Sequence, residues 1–145
     1  MADFKSVDAL LKSLQSRIEK VIQEKVPEVV EEEMIRQIDR VVYDAYPNPK
    51  YKRTYQLQHP DSIQTVNVPG GVKITNVRTD GDHMNDEGTG KYVAHVVESG
   101  QGYDYPYPGM KPRPFTEETR KELKQTGKHI YAVRKGLKEQ GLRVE

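Results

Sequence analysis

The chain has 145 residues and no cysteine. That excludes a disulfide framework and any thiolate metal site, and nothing in it calls for an oxidising compartment. Apolar residues are also scarce. The hydrophobic fraction is 34% and the mean hydropathy is −0.85, so the core must be thin for the length. No stretch approaches the roughly 18 consecutive apolar residues that span a bilayer. The opening residues, MADFKSVDALLK, lack the basic-then-apolar order of a signal peptide. The expectation is one soluble domain over residues 1–145, made in a cytoplasm, with part of its order supplied by neighbouring subunits.

The motifs of catalysis are missing as well. Histidines stand at 59, 83, 95 and 129, and no two share a short ligand spacing; HExxH is absent. Asp80, Asp82, His83, Asp86 and Glu87 form an oxygen-rich stretch that does not match the calcium-loop pattern. Ser99-Gly100 has no GxSxG around it. Gly88, Gly90, Gly100 and Gly102 do not sit between a strand and a helix start, so they make no phosphate cradle. Glu117 and Glu118 are adjacent, so they diverge on a helix and cannot flank one substrate. The expectation is a non-catalytic protein without a cofactor or metal.

What is present is periodicity. Val7, Leu10, Leu11, Leu14, Ile18, Val21 and Ile22 recur at helical spacing, with Ser6 as the expected N-cap and Asp8 in the first turn. Pro27 removes a backbone donor, so a kink or short break is expected near Lys25–Glu28. The pattern resumes at Val30, Met34, Ile38, Val41, Val42 and Ala45 and must stop by Tyr46, because Pro47 follows. Strands are expected at Ser62–Val68, Val72–Arg78 and Lys91–Glu98. The first two are joined by the turn Pro69-Gly70-Gly71. Polar, glycine-rich and proline-rich composition predicts flexible loops at 79–90 and 99–113. The last element is expected as one long helix starting near Pro114, with Thr116 as its candidate N-cap and a soft point at Gly127; Gly127 and Gly136 weaken it by about 1 kcal/mol each. The fold class is therefore α+β: a long N-terminal helix or kinked helix pair, a small antiparallel sheet of three to four strands, and a C-terminal helix packed on it.

Charge is unevenly spread. Residues 1–46 hold ten acids against seven bases, and residues 120–145 hold eight bases against three acids. These are either complementary patches between identical subunits or ordinary solvated faces. Tyr46, Tyr51 and Tyr55 interleave with Lys50, Lys52 and Arg53, a mixture that stacks bases and neutralises phosphates in nucleic-acid binders. Here it equally suits a connector packed on the core. Tyr103, Tyr105 and Tyr107, stiffened by prolines, are either interface anchors or a cover for the chain's own core.

Three segments carry a resemblance. VVYDAYPNPKYKRTYQL (41–57), VAHVVESGQGYDY (93–105) and KPRPFTEETRKELKQTGKHI (111–130) resemble, in this order, the tail-component or tail-completion proteins of long-tailed bacteriophages. The resemblance implies a structural virion protein in head–tail joining or tail completion, at the neck between connector and tail. It implies a ring of identical subunits that touches connector or head-closure proteins on one side and tail-terminator or tail-tube proteins on the other. It implies location in the virion, and in the host cytoplasm during assembly, with DNA only as what passes through the channel. It implies no small-molecule substrate, cofactor or membrane, and it makes Pro112-Arg113-Pro114-Phe115 a structural turn with Phe115 packing the terminal helix onto the sheet. The residues expected at protein interfaces are Tyr51, Arg53, Tyr103, Tyr105, Tyr107, Lys135 and Lys138. The alternative reading is a nucleic-acid-binding accessory protein using 46–55 and the basic C-terminal helix.

Overall fold

The computed structural model describes residues 5–44, 55–79, 93–100 and 111–143. It is built on one long helix, α1 (Val7–Ile38), which is about 48 Å long at 1.5 Å per residue. Ser6 caps it as expected, its hydroxyl accepting from the Ala9 amide at 3.2 Å, and Asp8 lies in the first turn. The helix runs unbroken through Pro27, against the expected interruption near Lys25–Glu28. Packing explains this: Val21 on one side of the proline and Met34 and Ile38 on the other are all buried. Tertiary burial therefore outweighs the local proline penalty. The helix widens into a π turn at Asp39–Tyr43 and ends there, ahead of the prolines.

Two short 3₁₀ turns (Gln56–Gln58 and Pro60–Ser62) lead into a hairpin of β1 (Ile63–Val68) and β2 (Gly71–Asn76). The strands pair antiparallel from Ile63↔Asn76 to Val68↔Gly71, which leaves Pro69 and Gly70 as the two-residue turn. Gly70 takes φ +78, the conformation that glycine adopts without a Cβ penalty after a proline in a type II turn. The turn docks on α1. The Gln23 side-chain amide donates to the Val68 and Gly71 carbonyls at 3.4 and 3.2 Å, and the Gly70 amide donates to Glu19 at 3.2 Å.

The expected third strand is instead a helix, α2 (Val93–Ser99). A short apolar run fits both periods. Here Ala94 and Val97, three apart, are buried together in the main core, while His95 faces solvent. Gly100 at φ +70 ends α2 and lies so close to Pro112 that a Cβ would sit 2.8 Å from its nitrogen. Among the described residues the sheet therefore has two strands.

The C-terminal segment forms two helices rather than one, α3 (Phe115–Thr126) and α4 (Lys128–Glu139). Gly127 at φ +66 breaks them apart, with its amide bonded to the Leu123 carbonyl at 2.8 Å, the left-handed stop that glycine supplies most readily. Thr116 is not the cap of α3, which begins at Phe115 behind Pro114. Its amide and hydroxyl donate instead to Glu98 at the end of α2. Both helices pack on α1. Phe115 is fully buried among Met34, Ile38, Val42, Leu57, Ile63, Ala94 and Val97, so it ties α3 to α1, α2 and the first strand at one point.

Candidate functional site

Helix α4 lies close against α1 because Gly136 has no side chain. A Cβ there would meet Val21 Cγ1 at 2.6 Å and Lys25 Cγ at 3.1 Å. The elbow at Gly127 swings α4 out from α3. An open groove of about 720 Å³ results between α1 and the elbow. Its walls carry Glu28, Val29 and Glu32 from α1 and Tyr131, Ala132 and Lys135 from α4.

Glu33 is sealed into the groove wall, 1% exposed. Its carboxylate accepts from Gln37 at 2.8 Å, Arg36 at 2.7 Å and Lys128 at 3.2 Å. Burial works to raise its pKa. The hydrogen bonds from Gln37 and Lys128 and the charges of Arg36 and Lys128 outweigh it, so the carboxyl is held below its ordinary value of 4.5. Glu118 is also held low, first by a hydrogen bond from Lys121, then against a smaller desolvation with help from Arg40. Arg40 and Glu118 join α1's end to α3 at 3.0 Å.

A carboxyl whose pKa is lowered on folding adds stability above its unfolded value and loses it as pH falls through the folded one. Replacing Glu33 with glutamine is expected to cost about 1–2 kcal/mol at neutral pH. The low end applies because Arg36 and Lys128 remain half-exposed and can return to water. The variant should also lose less stability than the native chain as pH falls from about 4.5 downwards. Urea unfolding at neutral and acid pH checks both; parallel acid-side curves would sink the assignment.

The charge contrast along the sequence is thus partly satisfied inside one molecule. Lys128 of the basic segment meets Glu33 of the acidic one at 3.2 Å. Lys25 and Glu139 pair in the opposite sense at 3.4 Å. Of the seven expected interface residues, Tyr51, Arg53, Tyr103, Tyr105 and Tyr107 lie outside the described residues, as do most of the loops at 79–90 and 99–113. Lys135 lines the groove. Lys138, one turn on, is exposed and not part of its lining. Tyr55, from the aromatic connector, packs against Tyr43 with ring centroids 4.8 Å apart.

The composition-based reading missed Glu33, Gln37 and Gly136. The first two were detectable: they fall on the same helical face as Val30, Met34 and Ile38, three and four residues apart. Gly136 carried no such signal, since a glycine in a helix looks like a weakness until its neighbour is known. Among the described residues no three histidine, aspartate or glutamate side chains gather as a metal site, and no helix is long and apolar enough to cross a membrane.

The family model for YomN matches residues 6–139. The chain belongs to the YomN family. A relative in Bacillus subtilis (strain 168), the SPbeta prophage-derived uncharacterized protein YomN, is 37% identical over 108 residues, covering 72% of this chain and 70% of that protein. No solved structure matches. The YomN match covers α1 through the last turn of α4, so the long helix, the hairpin and the C-terminal elbow all fall within the family's span. The prophage origin of that relative points to a phage-derived protein here too.

Proposed function

We propose that this chain is a structural subunit of a long-tailed phage particle, acting in head–tail joining or tail completion as one member of a ring between connector and tail. The prophage-derived relative supports the phage half of this reading. The observation that carries the rest is the way two of the three resembling segments meet. Glu98 at the end of α2 accepts from the Thr116 amide at 3.3 Å and from its hydroxyl, and the Arg113 amide donates to the Val97 carbonyl at 3.0 Å. A carboxylate at the first turn of α3 satisfies an otherwise orphan amide and complements the helix dipole. The described residues 93–100 and 111–116 thus meet in one built junction, which gives the joint recurrence of these two segments in a family a physical basis.

A ring role requires two different, complementary patches on one subunit. The thin core and the exposed apolar residues at both ends of the helical body are what such a subunit needs. The test is deletion of the gene from an inducible prophage that carries it. Filled heads and separate tails seen by electron microscopy, rejoined when the chain is supplied in trans, are expected. Normal virions from the deletion strain would overturn the proposal. Retention of the purified chain on duplex DNA at physiological salt would favour the nucleic-acid reading instead.

A further inference from the structure

Helices α3 and α4 are held to α1 by different means. Helix α3 buries Phe115, Thr119 and Leu123, and Phe115 sits in the main core cluster. Helix α4 buries only Gly136 of its twelve residues and contributes none to that cluster. Its apolar side chains Ala132, Val133 and Leu137 are half-buried, while Ile130 and Tyr131 are exposed. Packing stabilises a helix in proportion to the apolar area it takes out of water, so α4 is seated more weakly than α3. His129, in the first turn of α4, weakens the seat further. Its Nδ1 is sealed from water with no hydrogen-bond partner among the described residues.

Two ion pairs clip the ends of α4. Lys128 meets Glu33 at its first residue and Glu139 meets Lys25 at its last. Lys128, Glu139 and Lys25 are each about half exposed, so water and salt compete for both pairs. Between α3 and α4 stands Gly127 alone, at φ +66, and a Cβ there would meet nothing within 4 Å. No packing around this elbow resists a change of its dihedral angles. What α4 covers is the end of an apolar stripe on α1. At 3.6 residues per turn, Val7, Leu11, Leu14, Ile18 and Val21 fall within about 80° of one another around the axis. The first four are open to solvent or half-buried, whereas Val21 is 1% exposed where Gly136 lies against it.

We propose that α4 is a hinged strap: it leaves α1 as one unit about Gly127 while α3 stays seated, and so uncovers Val21 and lengthens the exposed stripe. Away from α1, a twelve-residue helix with a glycine inside it is too short to persist, so detachment and melting are one event. The cluster around Phe115 takes no part, because α4 supplies nothing to it. Opening therefore costs less than unfolding the chain, and it forms a separate cooperative step. The strap is a property of the isolated chain and stands apart from the phage reading.

Native-state hydrogen exchange of the full chain reads the opening amide by amide. The amides from Ala132 to Glu139 are expected to share one protection factor, about a hundredfold or more below that of Met34 and Ile38. Glu139→Gln removes one clip and should speed exchange in α4 alone, by about twofold. A lock supplies the converse. Val21→Cys with Gly136→Cys gives a chain without cysteine its only pair. A Cβ at 136 stands 2.6 Å from Val21 Cγ1, one bond beyond the Val21 Cβ, so the two Cβ atoms come roughly within the 3.5–4.5 Å span of a disulfide. Oxidising that pair should slow exchange across α4 by about tenfold or more relative to its reduced form. Protection that falls away residue by residue toward the end of α4 is simple fraying and overturns the proposal. So does α4 exchange at the rate of Met34 and Ile38, which means that it opens only with the whole chain. An oxidised pair that leaves α4 exchange unchanged overturns it too, because opening then needs no departure from Val21. Should the double variant fold poorly, the native profile and Glu139→Gln still decide.

Discussion

Replacing Phe115 with alanine is expected to lower the stability of the chain by about 3–5 kcal/mol. The ring is fully buried and shares one cluster with residues of α1, its π turn, the 3₁₀ turn at Leu57, β1 and α2. Few other side chains join so many elements. Truncation removes the transfer free energy of the ring and leaves a cavity that the rigid α1 cannot collapse to fill. The loss is a large fraction of the 5–15 kcal/mol typical of a whole domain, so the variant should be partly unfolded at physiological temperature. Leucine at the same position should recover most of it, because volume matters more than aromaticity where, among the described residues, Phe115 has no ring partner. Urea unfolding with an unchanged m-value is the measurement. A cost below about 1.5 kcal/mol for Phe115→Ala would show that this cluster is not the hub it looks like.

A leucine at Gly136 is expected to cost about 3 kcal/mol or more, at the upper end for overpacking. Two effects compete at this position. Any side chain gains up to about 1 kcal/mol of helix propensity over glycine. Against that, the first carbon alone would stand 2.6 Å from Val21 Cγ1. Val21 is 1% exposed and β-branched, so it has essentially one rotamer in a helix and nowhere to turn. Sterics should therefore win, even for alanine, though by a smaller margin. The test is a double-mutant cycle. Val21→Ala makes room, so Gly136→Ala should be less harmful in that background by about 1–2 kcal/mol. Additive losses would show that the close contact does not set the spacing of α1 and α4.

The difference between what could and could not be read in advance follows the range of the interactions. Ser6 caps α1, and the hairpin turns at Pro69-Gly70, because those outcomes depend on three or four adjacent residues. The helix exit before Pro47 is of the same kind. The segment 93–99 is different. Its apolar residues suit a strand with two buried faces as well as a helix with one, and only the hydrogen bond of Arg113 to Val97 and the burial of Ala94 beside Phe115 select the helix. Pro27 is a local signal too, but it is overruled from outside, by the hairpin and α4 packing ahead of it and α3 behind it.

The candidate site divides the same way. Sequence by itself determined that the chain is α+β, that its charges fall in blocks, and that α1 begins with an apolar stripe. Those are properties of composition and of period, and they need no neighbour to be defined. Tertiary structure alone decided which part of the stripe is covered. It also decided that Lys128 meets a buried Glu33 within the chain, that Gly136 is a contact surface and not a weakness, and that Lys135 lines a groove while Lys138 does not. Each of these depends on which residue comes to lie opposite, across 95 positions of chain in the case of Glu33 and Lys128. Local preferences carry no information about that pairing, and it is settled only when the helices close on one another.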